Sequence, residues 1–369
     1  MKINFVLPTV SLGGGTRVVV IYAQLLERFG HTVQIVYPPL KPIPFLQMVK
    51  SRLRGKALPE ELVGKKSHLD GSGVNFKVLN CSRPVIDKDL PDADVVIATW
   101  WETAEWVSAL SSRKGAKVYF VQGHETFSIP TRSRETYRLR MHKIVVSRWL
   151  QDLMWSEYGD QNAELVPNSV DHNQFFAPLR SKQIRPTVGM IYSTAPNKGV
   201  NVSLSVLKKV REHFPALRIV CFGSQSPQGE TQLPKGAEFT LLPSQDSIRE
   251  FYAQCDVWLT TSRSEGFNLP AMEAMACRTP VVATRTGWPV EAVTSGKNGM
   301  LENIDDVDGL AQGVSWILSQ PNDVWKDLSL NAYATVAESS WATSAKLFER
   351  ALEHARQRAK RGEIAGPTF

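Results

Sequence analysis

Short apolar, β-branched runs alternate with amphipathic helical stretches along nearly the whole chain, and the alternation comes in two bouts. In the first, "KINFVLP", "TVQIVYP", "DVVIATW", "KVYFVQ" and "KIVVS" read as strands. Between several of them lie helical stretches such as "RVVVIYAQLLERFG", closed by Gly30, "ETAEWVSALSSR" and "RWLQDLMWSEYG". The second bout runs from residue 182 to about 340. Its strands are "RPTVGMIY", "LRIVCFG", "AEFTLLP", "DVWLTT" and "PVVAT", and its helices include "VNVSLSVLKKVREHF", "SIREFYAQC", "LPAMEAMAC" and "DVDGLAQGVSWILSQ". Strands that alternate with helices form βαβ units, which demand parallel pairing and a doubly wound sheet. The spacing therefore predicts an α/β chain of two domains, 1–180 and 181–340, joined by the polar, Pro-containing "FFAPLRSKQIRP" at 175–186. Residues 341–363 read as a long basic helix with Trp341, Leu347, Phe348 and Leu352 on one face, and 341–369 as a C-terminal helix and tail.

A chain of 369 residues with 43% hydrophobic and 21% charged residues can fill two cores. No apolar run approaches the roughly 20 residues that span a bilayer. The start, "MKINFVLPTVSLGGG", reads as a first strand rather than a secretory signal. Cys81, Cys221, Cys255 and Cys277 form no C-x-x-C pair and no cluster with histidine, and are expected as buried reduced thiols. The net charge of +7 suits an anionic ligand or an anionic membrane surface. No aromatic-interleaved basic motif points to nucleic acid.

One stretch concentrates chemistry. In "SEGFNLPAMEAMA", residues 264–276, two glutamates bracket a bend and the start of a helix. Ligands of open α/β sheets bind beyond the carboxyl ends of the strands. Thr260, Thr261 and Ser262 end such a strand, so Glu265 and Gly266 lie at the functional edge. Pro270 suits the first helical turn, and Glu273 is expected within that turn. A helix start offers N–H groups and partial positive charge to an anion such as diphosphate, and the carboxylates beside it accept hydrogen bonds from sugar hydroxyls. Taken singly, Glu273 could merely favour the helix dipole and Glu265 cap a loop.

The joined pattern is more specific. "EGFNLPAMEAMACRTPVVATRTGWPVEAV" closely resembles the signature of retaining glycosyltransferases of family four, glycosyl transferases group 1, in which two glutamates are separated by seven residues. "LGGGTRVVVIYAQLLERFGHTVQIVYP", "VPNSVDHNQF" and "FYAQCDVWLTTSRSEGF" resemble further family segments in the same order. The resemblance covers most of the chain outside residues 40–73. It implies the GT-B fold: two facing Rossmann-like domains with parallel sheets, an active site in the cleft, and a C-terminal helix crossing back to the first domain. By the same resemblance Glu265 holds hydroxyls of the donor sugar and Glu273 the ribose. Lys198 and the amides near Gly266, Phe267, Asn268 and Leu269 meet the diphosphate. The family's usual basic pair is incomplete, because Ile191, Tyr192 and Ser193 stand where its arginine would fall. Arg263 is a substitute or a solvated loop charge. Asn268 and Ser169 replace usual glycines.

Glycines 13–15 follow the first strand and open a helix. Gly14 and Gly15 let backbone N–H groups approach a phosphate or sugar. A dinucleotide fingerprint is disfavoured, since the second strand ends in "IVYPP" without the ribose-binding acid. In "VYFVQGHETF" the family places a histidine against the donor sugar; His124 is the candidate, with Gln122 as the alternative. His31 reads as a turn residue. "DAD", 92–94, precedes a strand and so lies at the amino edge, where a turn cap is expected rather than a metal site. "DDVD", 305–308, reads as a helix N-cap. No metal and no cofactor are expected, the nucleotide-sugar being a substrate of unknown base.

Residues 40–73 interrupt the rhythm as an insertion or elaborated loop. On a helix, Phe45, Met48, Val49 and Leu53 would share a stripe beside Lys50, Arg52, Arg54 and Lys56. The stripe can pack on the first domain with its charges solvated, or lie in an anionic membrane interface. The expected function is retaining, metal-independent hexosyl transfer from a nucleotide-sugar to a glycan or lipid-linked acceptor, in polysaccharide or glycoconjugate synthesis. The expected location is cytoplasmic, with the inner membrane face as an alternative. Rival functions are a degenerate sugar-nucleotide-binding protein, and a sugar phosphorylase or epimerase on the same fold.

Overall fold

The computed structural model describes residues 1–40, 66–126 and 129–366. The basic stretch Phe45–Lys56 lies outside the described residues. The chain divides into two compact units. One comprises 1–146, 150–167 and 342–369; the other comprises 147–149 and 168–341.

The first unit holds a sheet of seven strands: β1 (Lys2–Val6), β2 (Thr32–Tyr37), β3 (Phe76–Val78), β4 (Val95–Ala98), β5 (Ala116–Val121), β6 (His142–Val145) and β7 (Glu164–Leu165). They lie in the order β3-β2-β1-β4-β5-β6-β7, and every pair is parallel. The strands carry no outward polar alternation: β4, β5 and β6 are buried at every position. That is the mark of a sheet covered on both faces. The helix Gly14–Arg28 runs from the end of β1 to the start of β2. The helix Trp341–Lys360 belongs to this unit from Ala342 onward. Its Phe348 stacks on Tyr22 at 4.4 Å between ring centres and meets Phe120 edge-on at 5.0 Å. Aromatic pairs at such spacing add about 0.5–1.5 kcal/mol each beyond area burial.

The second unit holds six parallel strands: β8 (Thr187–Tyr192), β9 (Arg218–Gly223), β10 (Glu238–Leu241), β11 (Val257–Thr260), β12 (Val281–Thr284) and β13 (Gly299–Glu302). Their order is β10-β9-β8-β11-β12-β13. Val206, Leu207 and Val210 of the helix Val200–His213 pack with Leu310, Val314 and Ile317 of the helix Val307–Ser319 over Val188, Met190 and Leu259. The segment at 175–186 is less polar in its placement than its composition suggests. Phe175 is fully buried, and the Arg180 guanidinium lies 4.6 Å over the Trp325 ring.

Strand order reverses between β1 and β4 in one sheet and between β8 and β11 in the other. A crevice opens at the carboxyl ends of the strands at each such reversal. The loops after β1 and β8 carry the glycine run and Lys198, and the loop after β11 carries Glu265.

Candidate active site

In the second unit the loops after β8 and β11 meet backbone to backbone. Lys198 closes a 3-10 turn, Pro196–Lys198, and Gly199 follows at φ +66°. A Cβ at Gly199 would lie 2.2 Å from the Thr261 carbonyl oxygen, so only glycine allows this approach. The Arg263 N–H donates to the Asn197 carbonyl at 2.8 Å, and the Asn197 amide donates to the Ser264 carbonyl at 3.3 Å. This seam brings the Lys198 ammonium 2.6 Å from Glu265 Oε1. Ser262 Oγ donates to the same oxygen at 2.7 Å. The Glu265 side chain is 11% exposed and that of Lys198 38%. The cation therefore stays reachable while the carboxylate is held.

The turn from Glu265 to Asn268 is fixed from several sides. The Glu265 N–H donates to Thr286 Oγ1 at 3.0 Å, and the Trp288 N–H donates to the Phe267 carbonyl at 2.6 Å. The Phe267 and Trp288 rings stack. The Gly266 carbonyl accepts from Ser147 Oγ at 2.7 Å and from Trp149 Nε1 at 3.1 Å, both within the stretch 147–149 that belongs to this unit. Asn268 adopts φ +84°, and its side chain explains why a residue other than glycine is accepted there. Its Oδ1 accepts from the Ala271 N–H, capping the helix Leu269–Ala276, while its Nδ2 donates to Thr260 Oγ1 at 3.0 Å.

The helix thus starts at Leu269, one residue ahead of Pro270. Glu273 falls in the second turn, not the first as expected, because the cap is Asn268. Glu273 is 5% exposed and accepts a hydrogen bond from the Tyr252 hydroxyl at 2.7 Å. The Arg263 guanidinium is held by other groups: its Nε donates to both carboxylate oxygens of Asp305, at 2.7 and 3.0 Å, and its Nη1 to the Pro196 carbonyl at 3.1 Å. Tyr252, Ser262, Thr286 and Asp305 lie within segments that the sequence made legible, but their contacts were not, since the partners are 3 to 42 positions away and set by loop geometry.

In the first unit, Gly13 is the cap of the helix Gly14–Arg28, so Gly14 and Gly15 form its first two positions. A Cβ on Gly15 would stand 3.7 Å from both polar atoms of the Gln122 amide, which therefore lies beside the glycine run. His124 instead bonds the Tyr158 hydroxyl through Nε2 at 2.7 Å. Burial, with Arg134 nearby as a smaller contribution, pushes its pKa below the usual histidine value, so the ring is neutral at pH 7. Next to it Glu125 is almost fully buried and accepts from the Trp101 N–H. Burial drives its carboxyl well above the usual range.

Asp92 binds Lys114 and Arg113, and Asp94 accepts from the Lys2 N–H just before β4. Asp306 caps the helix Val307–Ser319 through the Gly309 N–H at 2.8 Å. His31 bridges the amino terminus and Glu349. Cys221, Cys255 and Cys277 are buried free thiols; Cys81 departs from the expectation, being exposed on a turn beyond β3.

Two Rossmann-like units of parallel strands within one chain define a GT-B fold. Its sequence relationship is narrower in extent: residues 185–320 match the family described as glycosyl transferases group 1. Similar curated proteins include an uncharacterized glycosyltransferase of Methanocaldococcus jannaschii, 29% identical over 50% of this chain and 49% of that protein. A D-inositol 3-phosphate glycosyltransferase 2 of Catenulispora acidiphila is 34% identical over 33% of this chain and 29% of that protein. A GDP-mannose-dependent alpha-(1-6)-phosphatidylinositol monomannoside mannosyltransferase of Mycolicibacterium smegmatis is 28% identical over 48% of this chain and 52% of that protein. The chain's matches thus span about half the length of these relatives or less. Among solved structures, Anabaena HepE in complex with UDP-glucose superposes with a TM-score of 0.73 at 17% identity, over 96% of this chain and 100% of that one. Sucrose-phosphate synthase from Thermosynechococcus elongatus gives 0.71 at 15% identity, over 96% and 98%.

Proposed function

We propose that the protein is a retaining glycosyltransferase that moves a hexosyl group from a nucleotide-sugar to a glycan or lipid-linked acceptor. The observation that carries this reading is the Glu265 carboxylate, clamped by Lys198 and Ser262 at the carboxyl edge of β11 and directly before a capped helix. A fixed carboxylate there accepts hydrogen bonds from sugar hydroxyls, and the ammonium beside it meets diphosphate. Glu273, oriented by Tyr252, takes the ribose hydroxyls. Lys198 and the amides of the turn Gly266–Leu269 take the charge that develops on the leaving diphosphate. Arg263 stays with Asp305 and contributes to the loop rather than to the phosphate. In the first unit the N–H groups at Gly14 and Gly15 and the Gln122 amide beside them offer donors to an acceptor, while His124 is neutral and bonded to Tyr158.

The acceptor hydroxyl attacks the anomeric carbon from the face the diphosphate leaves. The carbon–oxygen bond to phosphate breaks, and a phosphate oxygen takes the hydroxyl proton. No protein nucleophile, metal or cofactor is assigned to the transfer. Curated relatives named for inositol 3-phosphate and for GDP-mannose support an acceptor bearing a phosphorylated polyol or lipid, and a UDP or GDP donor. The work would belong to glycoconjugate or polysaccharide synthesis on the cytoplasmic side, with peripheral contact to anionic membrane as a further element. Among the described residues no helix is long and apolar enough to cross a membrane.

The test is a panel of UDP-, GDP- and dTDP-sugars, followed by calorimetric binding and by slow hydrolysis of the donor. One nucleotide-sugar should bind and hydrolyse, and the transferred product should keep the donor's anomeric configuration by NMR. Binding without any turnover across acceptors would favour a degenerate binding protein. An inverted product would overturn the retaining assignment.

A further inference from the structure

At the amino edge of the first sheet, opposite the loops that carry Gly14, Gln122 and His124, three side chains from three elements converge. His142 opens β6, Glu164 opens β7, and His354 projects from the helix Trp341–Lys360. One ligand atom from each lies within 4.8 Å of the others. His142 is fully buried. Its Nε2 sits 3.3 Å from Glu164 Oε1 yet has no hydrogen-bond partner. His354 Nδ1 bonds the same Glu164 oxygen, and the two imidazoles meet edge-on, 5.5 Å apart. A buried ring nitrogen close to a carboxylate but outside hydrogen-bond geometry is costly unless something else can occupy the position.

We propose that His142, Glu164 and His354 form a binding site for a zinc-class divalent transition-metal ion, which staples the C-terminal helix to β6 and β7. Two imidazole nitrogens and one carboxylate are the three-ligand set that Zn²⁺ accepts, with water in the fourth position. Glu164 and His354 are partly exposed, 33% and 45%, and give the ion its entry path and its water. Nitrogen ligands select against Mg²⁺ and Ca²⁺, which want oxygen. At present Arg358 Nη1 donates to His142 Nδ1 at 3.0 Å, which places the ring proton on Nε2. Metal at Nε2 requires the other tautomer, with the proton on Nδ1. Arg358 must then turn from the ring onto Glu363, which already accepts from its Nε at 3.0 Å. The single His354 ring proton moves through solvent from Nδ1 to Nε2, so the ring stays neutral and the Nδ1 lone pair faces the ion. No electron is transferred.

The experiment uses the full chain, freed of metal with a chelator and then titrated with Zn²⁺ by calorimetry and by thermal melting. One equivalent should bind and raise the melting temperature, and Mg²⁺ should do neither. Co²⁺ in place of Zn²⁺ should give the intense visible bands of a four-coordinate ion. His354→Ala and Glu164→Gln, both at partly exposed positions and safe for folding, should each weaken Zn²⁺ at least about tenfold. His213→Ala, on an exposed histidine of the second unit, should leave the affinity unchanged. The absence of saturable Zn²⁺ binding would overturn the site. So would an affinity that survives both His354→Ala and Glu164→Gln; the cluster would then be two separate contacts, Arg358 on His142 and His354 on Glu164.

Discussion

Glu265 and Glu273 sit eight positions apart, but their surroundings ask different things of them. Glu265 has an ammonium and a hydroxyl on one oxygen and lies beside an accessible lysine. Under the proposed function, removing its carboxylate deprives the donor sugar of charge-assisted hydrogen bonds, and leaves Lys198 with solvent to compensate it. Glu265→Ala should therefore lower turnover about 10- to 100-fold, the equivalent of about 1.5–3 kcal/mol, with little change in melting temperature. Glu273 is buried against Tyr252, and a glutamine there can still accept from the hydroxyl. Glu273→Gln should keep the fold and weaken donor binding by about 1.5–3 kcal/mol, read by calorimetry with the donor found in the nucleotide-sugar panel. Unchanged donor affinity and turnover in both variants would remove these two residues from the site.

At the scale of the element, the Glu265 turn depends on a residue outside it. Gly287 adopts φ +67°, and a Cβ there would stand 2.6 Å from the Phe267 carbonyl oxygen and 2.9 Å from Glu265 Cβ. Gly287→Ala combines left-handed strain of about 1 kcal/mol with overpacking of about 1–3 kcal/mol. It should destabilise the chain in urea denaturation and also slow transfer, since the collision pushes on Glu265 itself. A variant as stable and as active as wild type would show that the turn yields freely. The sequence made much of this turn legible, because a strand, a bend, Pro270 and two spaced glutamates are local signals. It also placed the core strands, whose β-branched runs, as in "VVIA" and "VVAT", are buried throughout. It missed β3 and β7, which are only 3 and 2 residues long, and β13, whose "GMLE" is half polar. It missed the helix Asn322–Val336 because that helix buries Trp325, Leu328 and Ala332 among many polar positions. The Glu273 placement failed by one residue of helix start, since Asn268 caps in a conformation usually left to glycine. Tyr252, Thr286 and the His142–Glu164–His354 cluster were out of reach for a different reason. Side chains 21 to 190 positions apart meet only once the sheets are ordered.

Across the whole molecule, the transfer chemistry and the proposed ion sit on different parts of the scaffold, and chelation separates them. The diphosphate charge is assigned to Lys198 and to the amides of the Gly266–Leu269 turn, which need no metal. The aspartates of "DAD" are committed elsewhere, Asp92 to Lys114 and Arg113 and Asp94 to the Lys2 amide, at the amino edge of the sheet. The His142–Glu164–His354 cluster also lies at that edge, and its helix belongs to the first unit. EDTA should therefore leave turnover intact at temperatures well below the melting point. It should also lower the melting temperature of a Zn²⁺-loaded sample by the linkage that any native-state ligand provides. The two readouts fail independently. Turnover that vanishes with EDTA and returns with Mn²⁺ or Mg²⁺, at a temperature where circular dichroism shows the fold unchanged, would contradict metal-independent transfer and leave the zinc site standing. A melting temperature indifferent to EDTA and to added Zn²⁺, with turnover intact, would remove the zinc site. The assignment of Lys198 and Glu265 would then stand unaltered, because nothing in their geometry passes through His142.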